Sequence, residues 1–180
     1  MNANARKTQN PVKITDYMAI TLKTPRAQIE QYVIKRTKSI ENVVIRNLLY
    51  VGEQLVNHAR NLPSPSAADF DGHIPPHQPN YIDWTANLRS SIGYVLVVDG
   101  QVVKTSSFEP VSGGDEGAES GRNFVTKLAE GIQSGIALIV VAGMHYAKYV
   151  TARGYDVIDS AELLAQKLIP QMLKQLKIEE

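Results

Sequence analysis

The densest run of chemistry-bearing side chains is "DFDGHIPPHQPNYID", which brings Asp69, Asp71, His73, His77 and Asp83 into fifteen residues. Carboxylates and imidazoles are ligand types for divalent metals, so Asp69, Asp71, His73 and His77 are the set a small metal-dependent hydrolase would use. Pro75 and Pro76 exclude the helix that would turn both histidines to one face, and the spacing matches no established ligand pattern. A solvated loop without metal is the expectation, with the hydrolase as the alternative. Nucleophilic catalysis has less to work with. In "GAESG" and "GIQSG" the serine sits one place too late for a G-x-S-x-G elbow, and His145 would need Asp156 or Asp159 to complete a triad. "VSGGDEGAESGR" lacks the G-K-[ST] of a phosphate loop, and its acidic residues would repel phosphate. The chain has no cysteine, which excludes disulfides, thiolate zinc sites and thiol nucleophiles together. No catalytic residue and no cofactor is assigned.

A second concentration is aromatic. "GMHYAKYVTARGYDVID" (143 to 159) carries His145, Tyr146, Tyr149 and Tyr155, with Lys148 and Arg153 between the tyrosines. Aromatic and basic residues in alternation suit base stacking and phosphate contact. A tyrosine-rich corner after an apolar run also suits packing and subunit interfaces, because tyrosine offers large area at low entropic cost. The latter is the expectation for Tyr146, Tyr149 and Tyr155.

The elements that must position these residues follow from periodicity. Residues 1 to 23 alternate loosely and are expected to form an extended arm. Thr24-Pro25 opens a long helix to about Asn61, with Ile29, Val33, Ile40, Val44, Leu48, Val51 and Leu55 as its apolar stripe. A proline-rich loop covers 62 to 86. "SSIGYVLVVDGQVVKTSSF" predicts a hairpin about Asp99-Gly100, with Val97 opposite Val102, Leu96 opposite Val103 and Tyr94 opposite Thr105. A flexible glycine-rich connection then leads to a middle helix bearing Phe124, Leu128 and Ile132. Gly135 to Gly143 is apolar on both faces and is expected to be a central strand. Asp159 and Glu162 are expected to box the start of a C-terminal helix whose stripe is Leu164, Leu168, Met172 and Leu176. The expected architecture is α+β: one domain over 24 to 180, with a small, mainly antiparallel sheet packed by long N-terminal, middle and C-terminal helices.

A hydrophobic share of 43% over 180 residues suffices for one sizeable core. No apolar run approaches the roughly 20 residues of a membrane helix, and the first residues lack a signal-peptide core, so a soluble, unexported chain is expected. Charge is uneven: residues 1 to 60 carry +6 and residues 61 to 180 carry −5. Lys35, Arg36, Lys38 and Arg46 make the long helix basic and are candidates for contact with DNA or with an acidic partner.

"TANLRSSI" (85 to 92), then a hairpin, a strand and "HYAKYV" (145 to 150), resembles the neck or tail-completion proteins of tailed bacteriophages, the gene-product-ten-like putative tail components of HK-type phages. Thr85, Leu88, Arg89, Ser91 and Ile92 fit that family's "T-G-x-L-R-x-S-I". Tyr146, Ala147, Tyr149, Val150 and Gly154 fit its "Y-A-x-Y-V-E-x-G". Ala86 stands where glycine is usual, Thr151 replaces the glutamate, Gly154 falls one place late, and the family's later proline-containing stretch is replaced by "GYDVIDSAELLAQKL". The resemblance implies a non-enzymatic virion protein, assembled in the host cytoplasm, that forms a homo-oligomeric ring at the head-tail junction around the passing genome. Its implied partners are further copies of itself and the portal, head-closure or tail-tube proteins, with non-specific DNA contact and no membrane. Leu88, Arg89, Ile92, Tyr146, Tyr149 and Tyr155 become candidates for packing or subunit contact.

Overall fold

A computed structural model describes residues 23–63 and 81–176, so the arm up to residue 22 and most of the proline-rich loop lie outside the described residues. The chain divides into two compact units, residues 1–38 and residues 39–180. In the first, α1 (Arg26–Arg60) begins where the Pro25 carbonyl accepts from Gln28 N at 2.9 Å and Ile29 N at 3.3 Å. Proline thus occupies the boundary itself, one residue later than a Thr24 cap implies. Arg26 and Glu30, one turn apart, pair at 2.7 Å.

The second unit holds the rest of α1, then α2 (Asn87–Ser90), β1 (Ile92–Val98), β2 (Gln101–Thr105), α3 (Asp115–Ala129), β3 (Ile136–Ala142), α4 (Ala147–Ala152) and α5 (Asp159–Gln175). The fold is α+β, with five helices and one three-stranded antiparallel sheet among the described residues, in the order β2-β1-β3. Its core follows from the pleat. Ile92 and Tyr94 point to one side, where they pack with Val51, Leu55 and Val56 of α1 and with Ala161 and Met172 of α5. Val95 and Val97 point to the other, against Phe108 and Ala118, Val125 and Ala129 of α3. Among the described residues, no helix is long and apolar enough to cross a membrane.

The hairpin turn has Asp99 at φ 47 and Gly100 at φ 78, the two positive angles a type I′ turn demands. Val98 faces Gln101 and Val97 faces Val102, but a bulge then shifts the register. Leu96 faces Lys104 and Val95 faces Thr105, so the expected Leu96–Val103 and Tyr94–Thr105 pairs do not form. Val103 is the extra residue, and Ser106 completes the ladder: its N–H reaches the Tyr94 carbonyl and its hydroxyl accepts from Tyr94 N, both at 2.9 Å. The bulge increases local twist and blunts an exposed sheet edge.

Three further expectations are corrected. β3 is an edge strand and β1 the central one; Leu138 and Val140 pack on one side of the sheet and Ile139 and Val141 on the other, so this edge strand is apolar on both faces. The middle helix starts at Asp115, inside the supposed flexible connection, and buries Gly117, Ala118, Gly121, Val125 and Ala129. Phe124 and Leu128 stand on its outer side, 41% and 37% exposed. At α5, Asp159 and Glu162 form no capping box; Asp156 Oδ1 instead accepts from Ser160 N at 3.1 Å.

Candidate functional site

The two motifs meet in one corner of the second unit. Asp83 positions the first: its carboxylate accepts from Leu88 N at 3.4 Å and Arg89 N at 2.9 Å, which satisfies free donors of the short helix α2. Arg89 then reaches the end of α1, donating to the carbonyls of Arg60 at 2.8 Å and Leu62 at 2.5 Å, and its guanidinium lies 5.5 Å from the Tyr81 ring centre. It neutralises carbonyls that α1 cannot bond internally. Leu88 and Ile92 are buried in the core.

Ser90 and Ser91 are fully buried and act as joints. Ser90 Oγ accepts from Val111 N at 2.8 Å. Ser91 Oγ donates to the Leu88 carbonyl at 2.7 Å and accepts from Met144 N at 3.3 Å, while the Ser91 carbonyl receives Gly143 N at 3.0 Å. Thr85 and Tyr146 line one cleft, so the motifs adjoin there as well.

The aromatic residues separate by role. Tyr146 is half-buried and meets His145 edge-on at 5.4 Å; burial pushes its phenol pKa up, and the nearby Asp83 carboxylate adds to this. Tyr155 is half-buried against the core. Tyr149 is 58% exposed with the Lys148 ammonium 4.9 Å from its ring, and Trp84 is 70% exposed. Between them Tyr81, Trp84, Thr85, Tyr146 and Val150 line a cleft of about 240 Å³. Burial also drives the Tyr81 phenol upward, opposed by Arg89.

Beside α5 lies a second concavity, of about 260 Å³. Leu55, Leu138, Val140, Ile158, Ala165 and Ile169 form its walls, with Glu162 as the polar side chain among them. A third, beside Tyr50 and Met172, is about 220 Å³. Each falls below the roughly 300–1,000 Å³ of small-molecule sites, so the deep pocket a ligand-binding module requires has no counterpart among these three.

The other candidates disperse. Lys35, Arg36 and Lys38 are exposed in the first unit and Arg46 is exposed in the second; none forms an ion pair among the described residues. Asp69, Asp71, His73 and His77 lie outside the described residues, and Asp83 is engaged at α2. One polar pair had no sequence signal: His58 Nε2 and Ser160 Oγ lie 2.9 Å apart, 102 positions apart in the chain. A hydroxyl beside an imidazole is the start of a nucleophilic dyad. Among the described residues no carboxylate hydrogen-bonds this imidazole, and the pair ties α1 to α5.

No protein-family model matches the chain, and neither a curated protein nor a solved structure matches it. The phage resemblance therefore rests on its two motifs alone.

Proposed function

We propose that this chain is a structural protein of a tailed-phage virion that docks with copies of itself into a ring at the head-tail junction, and that it performs no catalysis. The observation carrying this reading is the division of labour within the motif corner. Leu88, Ser91 and Ile92 are buried, Arg89 is half-buried with its guanidinium engaged by two carbonyls, and the aromatic residues beside them, Trp84 and Tyr149, face solvent. Exposed large aromatics on a rigidly bonded corner suit an interface, whose energy concentrates in a few such anchors. The exposed Lys35, Arg36, Lys38 and Arg46 would then meet the phosphates of passing DNA or an acidic virion partner, without reading sequence.

Native mass spectrometry and sedimentation velocity across a concentration series test the reading. The expected result is a discrete closed oligomer that grows in with concentration. A chain that stays monomeric at every concentration, and also in the presence of isolated portal or tail-tube assemblies, overturns it.

A further inference from the structure

The apolar groove beside α5 and the exposed indole of Trp84 are complementary, and we propose that Trp84 of one copy inserts into the groove of the next. The inference rests on the ring reading and adds to it the residues that make the joint.

Four properties match. The first is size: about 260 Å³ bounded by aliphatic side chains accepts one large side chain and is small for a free ligand. The second is polarity. An indole has a single N–H donor and no acceptor, and the groove offers the Glu162 carboxylate. The third is charge. Asp159 and Glu162, both exposed, lie in the first turn of α5, and Glu162 lines the groove, so its rim is acidic. On the knob side Lys148, exposed on α4 between the cleft residues Tyr146 and Val150, is a cation to set against that rim, and the Asp83 carboxylate of the cleft is already held by two N–H groups of α2. The fourth is preorganisation. Asp83, the residue before Trp84, is fixed by two backbone N–H groups of α2, so the indole stands on an anchored turn and loses little freedom on docking.

Topology decides the kind of assembly. The cleft beside Trp84 and the groove share no lining residue. Two surfaces that do not overlap can be engaged on one copy at the same time, so the contact can repeat head-to-tail, and it forms a ring where the rotation closes. Pairing through one self-complementary surface would stop at a dimer.

Trp84 is the chain's single tryptophan, so intrinsic fluorescence reports its burial without a label. For the full-length protein diluted from high to low concentration, emission is expected to move from blue to red as sedimentation shows the oligomer dissociating. Trp84→Ala should weaken association by about thirtyfold or more with circular dichroism unchanged. Two groove variants, Ala165→Phe to fill it and Glu162→Arg to reverse its rim charge, should do the same; Glu162 is exposed, so that variant keeps the test open if the filled groove misfolds. Mixing Trp84→Ala with Glu162→Arg should give dimers and nothing larger, because only one intact knob and one intact hole remain per pair. Normal oligomers whose Trp84 emission does not shift would overturn this joint and leave the ring reading standing. Normal association of Trp84→Ala would do the same. Failure of the wild-type chain to associate, alone and in the presence of isolated portal or tail-tube assemblies, would overturn both.

Discussion

The two faces of the sheet are packed by different means. On the α3 side, backbone meets backbone: a Cβ at Gly121 would sit 2.5 Å from Phe108 Cε1 and 2.6 Å from the Ser91 carbonyl, and one at Gly143 would sit 2.5 Å from Gly121 Cα. Gly117 presses in the same way on the Asn87 carbonyl, and Phe108 fills the remaining space while fully buried. On the α1/α5 side the contact is made mostly by side chains, and its glycine, Gly52 of α1, faces the Tyr94 and Leu138 side chains, where a Cβ would sit 3.0 and 3.1 Å away. Leu164, Leu168 and Ile169 of α5 are only partly buried, and the groove remains open beside Leu138 and Val140. A face closed by glycines has one arrangement and nothing to offer a partner. A face closed by half-buried aliphatics retains apolar area whose burial is worth about 25 cal/mol per Å² to whatever covers it.

The sharpest way to break this comparison is to put equal insults into both faces. Gly121→Leu must displace Phe108 and the Ser91 carbonyl together, and is expected to cost roughly 3 kcal/mol or to prevent folding. Leu138→Ala, which widens a groove already open, is expected to cost roughly 2 kcal/mol, the low end for a truncated aliphatic. Urea unfolding of both variants decides: comparable losses would mean that the faces are equally tight.

Arg89 gives the next largest effect. It holds the end of α1, on the looser side, through two carbonyls and the Tyr81 ring. Arg89→Ala is expected to lose about 2–3 kcal/mol, the range for charge-assisted bonds removed from partly buried carbonyls. Lysine has no planar fork, so Arg89→Lys should recover little of it. Full recovery by lysine, read from thermal unfolding, would show that only the charge is needed and that α1 is not held by the two-carbonyl geometry.

The same contrast explains what was legible in the sequence. α1 and the hairpin turn were, because a stripe at three- and four-residue steps and an Asp-Gly pair are local signals. The first half of α3 was not. Its repeated glycines lower helix propensity, and the helix forms because they let it approach α2 and β1 closely. The edge position of β3 was equally hidden, since pairing order leaves no trace in a strand that packs apolar residues to both sides. At the candidate site, the motif residues were visible as types, but their division into buried joints and exposed anchors was not. That division depends on contacts such as Ser91 to Met144, 53 positions apart in the chain.

The smallest effect concerns Ala86, where the resembled motif carries glycine. Its φ of 56 and ψ of 8 lie in the left-handed region, which costs an L side chain about 1–2 kcal/mol. The neighbourhood holds it there: Ala86 N reaches the Asp83 carbonyl at 3.3 Å, Ser90 N reaches the Ala86 carbonyl at 3.0 Å, and Gly114 packs against that carbonyl. The corner at the margin of the α3 side is thus tight enough to impose strain on the residue that enters it. Ala86→Gly removes the strain but adds freedom to the unfolded chain, worth about 0.4–1 kcal/mol, so a net gain of roughly 0.5 kcal/mol is expected. A loss of stability in urea unfolding would mean that burial of the Ala86 methyl outweighs its backbone strain, and that the corner tolerates alanine for its packing.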